Sequence, residues 1–82
     1  MSIPLTVFGI MVDNRDENAP EMQEVITKYG RDIICRMGVP SPSKEKGFIT
    51  LVYEGEPKDV TTFRKELEDV SGITVQTMSF TQ

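Results

Sequence analysis

The sequence predicts an α+β fold in which four strands and two helices follow one another in the order βαββαβ. Four short segments are rich in apolar and β-branched residues, as is typical of strands. Two other segments repeat apolar residues at spacings of three and four, as is typical of helices. Glycines, prolines and small polar residues separate these segments. The order predicts a ferredoxin-like sandwich, a four-stranded antiparallel sheet with two helices on one face.

The first strand, the first helix and the second strand lie in the N-terminal half. Residues 5–12 are apolar except for a threonine and a glycine, so they predict a strand covered on both faces. Asn18 is a suitable helix cap and Pro20 suits a first turn, so we expect a helix over residues 19–29. Residues 32–39 mix β-branched residues with an alternating arginine and predict the second strand.

The second half repeats this order after a loop. Residues 40–47, PSPSKEKG, predict the loop, and residues 48–54 predict the third strand. A second helix is expected to begin at Pro57 and to end before Gly72. Its apolar residues recur on one face at Val60, Phe63, Leu67 and Val70. Residues 73–80 predict the fourth strand.

The predicted sheet has an apolar side that the two helices do not cover. Alternate residues of the first strand form two sets that face opposite sides, and neither set is hydrophilic. The fourth strand also has apolar residues on both faces. An uncovered apolar face on a small domain indicates a homo-oligomer, either a dimer or a dimer of dimers. We predict that its interface includes Phe8, Ile10, Phe48, Met78 and Phe80.

Composition narrows the function classes. The 82 residues include 9 basic and 13 acidic residues, and the net charge of -4 disfavours binding to phosphate backbones. Because there is no histidine and only one cysteine, Cys35, we expect no metal site and no cofactor. The unpaired cysteine and the short N-terminal apolar run predict a cytoplasmic protein without a membrane span.

The stretch KGFITLVYEG at residues 46–55 resembles the octamer with which RNA recognition modules stack bases. The stacking positions of that module correspond here to Phe48, Thr50 and Thr6. Only one of the three is aromatic, and threonine has no ring on which a base can stack. We therefore expect no direct nucleic-acid binding.

Catalytic residues are also not expected. An acylphosphatase of this fold needs an arginine in an anion-binding turn after the first strand, and Arg15 lies in that turn. Its neighbours Asp13, Asp16 and Glu17 would repel a bound anion, although an acylphosphatase-like enzyme stays an alternative. Cys35 has no histidine to activate it as a nucleophile.

Three stretches carry a family resemblance: RDIICRMGVP at 31–40, GFITLVYEG at 47–55 and EDVSGITVQTMSF at 68–80. They resemble the iron-only hydrogenase system regulators, small ACT-like proteins found mainly in anaerobic bacteria. The resemblance also rests on Arg36, Gly38 and Pro40, and on the pair Ser71 and Gly72. It implies that residues 1–82 form a single ACT-like domain.

The resemblance further implies a regulatory domain that oligomerises through its sheets and binds small effectors near subunit interfaces. It places a ligand site at Asp13, Asn14 and Arg15, with Arg36 as another candidate. The family is related in fold to the ligand-binding domain of the nickel-responsive repressor, but the histidines of that nickel site have no counterpart here. The alternative is a small-molecule-binding or protein-adaptor module that is unrelated to hydrogenase.

Overall fold

The computed structural model describes residues 3–40 and 46–81 and has the predicted βαββαβ order. The elements are β1 (Leu5–Val12), α1 (Arg15–Lys28), a short 3₁₀ helix (Gly30–Asp32), β2 (Ile33–Pro40), β3 (Gly47–Glu54), α2 (Pro57–Glu68) and β4 (Ile73–Phe80). The predicted strands 5–12 and 73–80 match β1 and β4 to the residue. β2 begins and ends one residue later than predicted, and β3 begins one residue earlier. The predicted 40–47 loop falls largely on residues 41–45, which lie outside the described residues.

The four strands form one antiparallel sheet in the order β2-β3-β1-β4. Two apolar strands, β1 and β3, lie in the centre, and β2 and β4 are the edges. Directly opposite residues share a sheet face, so the register Phe8↔Leu51 and Ile10↔Val75 places these four side chains on the same side. The regular pairing of β2 with β3 is interrupted only by a bulge between Ile33 and Cys35.

The core lies between the sheet and the two helices, and an aromatic cluster occupies its centre. The ring of Phe63 in α2 lies 4.8 Å from that of Phe8 and 4.4 Å from that of Tyr29, which stacks on it. Phe8 and Ile10 are both fully buried beneath the helices. Their predicted place in an oligomer interface is therefore wrong, since no surface of either is left for a partner to contact. Alternation defines two sets of residues in an all-apolar strand, but it does not say which set faces the helices.

Helix α1 begins four residues earlier than predicted, at Arg15 instead of residue 19. Asn14 occupies the cap position in the left-handed conformation, with φ 48°, and its side chain makes no capping hydrogen bond. The Asn18 amide instead donates to the Asp13 carbonyl oxygen at 2.6 Å. Pro20 lies inside the helix, where its missing N–H leaves a carbonyl on the exposed side that water can reach.

The two helices are joined by a polar contact at their exposed edge. Lys28 donates to one carboxylate oxygen of Glu66, and the Tyr29 hydroxyl donates to the other. The Lys28 and Tyr29 hydrogen bonds hold the pKa of Glu66 below its ordinary value. The same carboxylate, together with burial, raises the pKa of Tyr29 to about 12. We call these three residues the interhelix clasp.

Candidate functional site

A groove lies between α1 and the edge of the sheet formed by β2 and β3. Its volume is ≈ 310 Å³, within the range of small-molecule sites. We call it the α1 groove. It is lined by Val12, Arg15, Ala19, Met22, Gln23, Gly38, Gly47, Phe48 and Ile49. Most of this lining is apolar, so its polar groups are the ones that would select a ligand.

Arg15 is the cation of the α1 groove and the first residue of α1. Its aliphatic stem lies across Gly47, where a Cβ would come within 3.2 Å of the arginine Cδ. The absence of a side chain at Gly47 thus leaves room for the arginine stem along the groove. The guanidinium is a fixed positive charge that suits carboxylate or phosphate groups. The sequence-predicted Arg15 therefore lies in a position from which it can contact a ligand.

Arg36 reaches the same groove through Gln23. It lies on the helix-facing side of β2, opposite Leu51, and donates to the Gln23 side-chain oxygen at 2.5 Å. This contact fixes the orientation of the Gln23 amide, which leaves its NH₂ group for other acceptors. The sequence did not single out Gln23. Its role depends on the packing of α1 against β2, and the chain pattern shows only a polar residue beside the buried Met22.

Asp13 and Asn14 form the turn before Arg15 and are not part of the groove lining. The Asp13 backbone N–H donates to the Gly72 carbonyl at 2.8 Å, which ties this turn to the turn before β4. The Asp13 carboxylate lies 3.7 Å from the Lys46 ammonium, and both groups are exposed. The turn therefore determines where α1 begins and where Arg15, its first residue, lies. Direct ligand contact by Asp13 and Asn14 stays a prediction.

The side of the sheet that faces away from the helices is largely apolar and exposed. We call it the open face. Its large apolar members include Leu5, Val7, Met11, Met37, Phe48, Val52, Met78 and Phe80. Met37 and Met78 are each 57% exposed, and Phe80 is 51% exposed. The predicted interface residues Phe48, Met78 and Phe80 thus share one surface, while Met37 and Met11 join them without having been predicted.

A family model described as "TM1266-like: Iron-only hydrogenase system regulator, putative" matches residues 4–77. The chain belongs to this family. The match covers every strand and helix described above except the last three residues of β4. It confirms the family resemblance drawn from the sequence. No protein among the curated sequences matches the chain.

Solved structures of low sequence identity share the fold. The uncharacterized protein TM1266 from Thermotoga maritima superposes with a TM-score of 0.86 at 22% identity, over 93% of this chain and 95% of that one. The ACT domain of GTP pyrophosphokinase from Chlorobium tepidum gives a TM-score of 0.76 at 18% identity, over 95% of this chain and 100% of that one. The PII-like protein CPII from Thiomonas intermedia K12, bound to ADP, AMP and acetate, gives a TM-score of 0.57 at 10% identity, over 100% of this chain and 91% of that one. The ACT-like fold is confirmed.

In this member of the family, the three residues that correspond to an RNA-stacking platform do not all lie on one face of the sheet. Phe48 and Thr50 are two positions apart on β3, so both face away from the helices. Thr6, the third position, is fully buried on the helix side of β1. The resemblance of KGFITLVYEG to the RNA-binding octamer is thus limited to its forming a strand, and does not extend to a base-stacking surface.

Residues 3–40 and 46–81 contain neither a cluster of metal ligands nor a membrane-spanning helix. Within residues 3–40 and 46–81, no three histidine, cysteine, aspartate or glutamate side chains come together as metal ligands. Cys35 is exposed on the open face opposite Val52. In the same described part of the chain, no helix has the length and apolar character needed to cross a membrane.

Proposed function

We propose that this protein is a non-enzymatic regulatory domain of an iron-only hydrogenase system, which acts by self-association and by binding a small effector. The observation that carries the proposal is the open face, a largely apolar exposed surface on a domain whose opposite side already holds the core. Contiguous exposed apolar surface of this kind marks interaction sites. The single exposed thiol suits a reducing compartment, and we place the protein in the cytoplasm.

The proposed assembly is a homodimer, or a dimer of dimers, that buries the open face. Two-fold association needs a surface that complements itself, and unbranched methionines adapt to such contacts. Met78→Glu would place a carboxylate within this interface, on the edge strand β4. An unpaired buried charge costs about 3 kcal/mol or more, so we expect association to weaken at least about 100-fold. Size-exclusion chromatography with light scattering measures the change.

The matched control is Thr62→Glu, which adds the same charge on the exposed surface of α2. It should leave the assembly unchanged. An unaltered mass for Met78→Glu, or equal dissociation of both variants, would show that the open face is not the interface.

The proposed effector site is the α1 groove, and the effector carries a negative group. Arg15 supplies the positive charge, the oriented Gln23 amide supplies donors, and the apolar walls hold the body of the ligand. The groove lies beside the edge strand β2, where a neighbouring subunit could complete it. A PII-like protein of this fold was solved with ADP, AMP and acetate, which makes nucleotides and small carboxylates the first compounds to test.

A thermal-shift screen of amino acids, nucleotides and small carboxylates tests the effector site, because a ligand that binds only the folded protein raises the Tm. The shift should disappear in Arg15→Gln. Arg31→Gln, a change of the same kind on the 3₁₀ helix, should retain it. A shift that survives in Arg15→Gln would locate the effector elsewhere.

Deletion of the gene in its host tests the link to hydrogenase. We expect altered hydrogenase activity in the cell extract, restored by the wild-type gene and not by the Met78→Glu form. Normal hydrogenase activity and transcript level in the deletion strain would favour a binding or adaptor module with another target.

A further inference from the structure

A second groove lies between α2 and the edge strand β4, away from the α1 groove. Its volume is ≈ 510 Å³. We call it the α2 groove. It is lined by Pro4, Thr6, Pro57, Val60, Thr61, Arg64, Thr77, Ser79, Phe80 and Thr81. The proposed effector site uses none of these residues, although Phe80 also belongs to the open face. The proposal for the α2 groove therefore does not depend on the proposed effector site.

The floor of the α2 groove is made of hydroxyl groups, whereas most of the helix-facing side of the sheet is apolar. Thr6 is fully buried in the central strand β1, and its hydroxyl oxygen lies 2.9 Å from that of Ser79 in β4. One of the two O–H groups donates within this pair, so the pair has a second hydrogen to donate to a ligand. Thr77 adds a third hydroxyl on the same face. Core packing alone would favour valine or isoleucine at the fully buried position of Thr6.

Arg64 forms one wall of the α2 groove and is held in place by β4. Its guanidinium donates to the Thr77 hydroxyl at 3.0 Å and to the Val75 carbonyl at 3.4 Å. A guanidinium has five N–H donors in one plane, so these bonds leave donors for a ligand. Glu68 lies 3.5 Å from its Nε, but both side chains of this pair are more than 40% exposed. Water screens such a pair strongly, so much of the arginine charge is available to the groove.

The chemistry of the lining selects one class of ligand. Among the described residues that line the groove, Arg64 is the only one with a charged side chain. A single guanidinium in a protein of net charge -4 suits one negative charge better than two. The planar guanidinium pairs with a planar carboxylate, whose second oxygen can accept from the hydroxyl pair. Pro4, Pro57 and Val60 supply apolar surface for an aliphatic chain. We propose that the α2 groove binds a short-chain aliphatic monocarboxylate.

Butyrate is the probe for this site, titrated to about 20 mM into ¹⁵N-labelled protein and followed by heteronuclear NMR. We expect saturable shifts of the amide signals of Thr6, Thr77 and Ser79. Arg64→Gln should weaken binding at least about 10-fold, because it removes the charged donor. Ser79→Ala should weaken it about 3-fold or more, since one hydroxyl of the floor is lost. Butyramide, which has the same shape without the charge, should bind at least about 10-fold more weakly.

The matched control is Arg31→Gln, which removes an arginine that lines neither groove and should leave the butyrate affinity unchanged. If Arg64→Gln does not give a folded spectrum, Ser79→Ala carries the test, because its side chain lies at the exposed end of β4. Shifts that stay linear and do not saturate would overturn the proposal. So would equal weakening by Arg31→Gln, equal affinity for butyramide, or tighter binding of inorganic phosphate.

Discussion

The α1 groove and the α2 groove occupy equivalent places in the fold and differ in chemistry. Each lies beneath one helix and beside one edge strand, and each has one arginine in its lining. In the α1 groove the floor is apolar and contains two glycines. In the α2 groove the floor consists of hydroxyl groups around a fully buried threonine.

The two grooves also connect helix to edge strand in opposite ways. On the α1 side the strand residue Arg36 donates to the helix residue Gln23, whereas on the α2 side the helix residue Arg64 donates to the strand residue Thr77. The backbone topology thus provides two similar clefts, and a few side chains decide what each can bind. Under the two proposals above, the α1 groove and the α2 groove take different ligands.

The largest effect is expected from Gly72→Ala, which should disturb the α1 groove more than the α2 groove. Gly72 has φ +76°, and a Cβ there would collide with the Asn18 amide and lie 3.1 Å from the Asp13 carbonyl oxygen. Backbone strain and the collision should lower the free energy of unfolding by about 2 kcal/mol. Urea denaturation measures this loss. Gly30→Ala, where nothing lies within 4 Å, is the control and should cost far less.

The next effect is expected at alkaline pH, at the interhelix clasp that joins the end of α1 to α2. The folded pKa of Tyr29 is about 12, above its ordinary value of 10.0. The stability from the protonated hydroxyl is therefore complete below pH 10 and is lost as the pH rises toward about 12. Tyr29→Phe should flatten this part of the pH profile of the unfolding free energy. Burial also raises the pKa of Tyr53, so part of the slope should remain. An unchanged profile in Tyr29→Phe would contradict the assignment.

A smaller effect on stability is expected from Thr6→Val, which makes the floor of the α2 groove resemble that of the α1 groove. The variant loses the hydrogen bond to Ser79 and gains a buried methyl group. These terms oppose each other, so the free energy of unfolding should change by less than about 1 kcal/mol. Butyrate affinity should nevertheless fall several-fold in the NMR titration. Retained affinity would mean that the hydroxyl floor does not contribute to binding.

The smallest effect is expected from Gly38→Ala in the α1 groove. Nothing lies within 4 Å of a Cβ at this position, so the substitution should raise the free energy of unfolding by about 0.5 kcal/mol. The added methyl group enters the α1 groove and should reduce the effector-induced thermal shift. Butyrate binding in the α2 groove should not change. Equal losses in both grooves would show that they are not independent.

The fold could be predicted from the sequence to a greater extent than the sites. Alternation and turn residues predicted all four strands, and the proline at 57 marked the start of α2 correctly. The start of α1 could not be predicted, because Asn14 begins the helix without a side-chain cap while Asn18 and Pro20 give a stronger local signal. At such positions, tertiary contacts override the helix-capping preferences of the local sequence.

For the sites, Arg15 was predicted from its place after β1, and Arg36 from its charge within an apolar strand. Gln23 and Arg64 were missed, because each acquires its role from a residue 13 positions away that only the folded chain brings near. Phe8 and Ile10 were assigned to the wrong side of the sheet because both sides of β1 are apolar. A charged residue within an apolar strand can be recognised in a sequence. A hydrogen bond between polar residues on two different elements cannot.

Sedimentation equilibrium of the unmodified protein, from about 1 to about 100 µM, tests the central claim that the open face mediates self-association. The chain has a mass of 9.2 kDa. The account predicts a mass of twice or four times this value over most of the range, and a return to 9.2 kDa in Met78→Glu. A mass of 9.2 kDa for the unmodified protein at every concentration would contradict it.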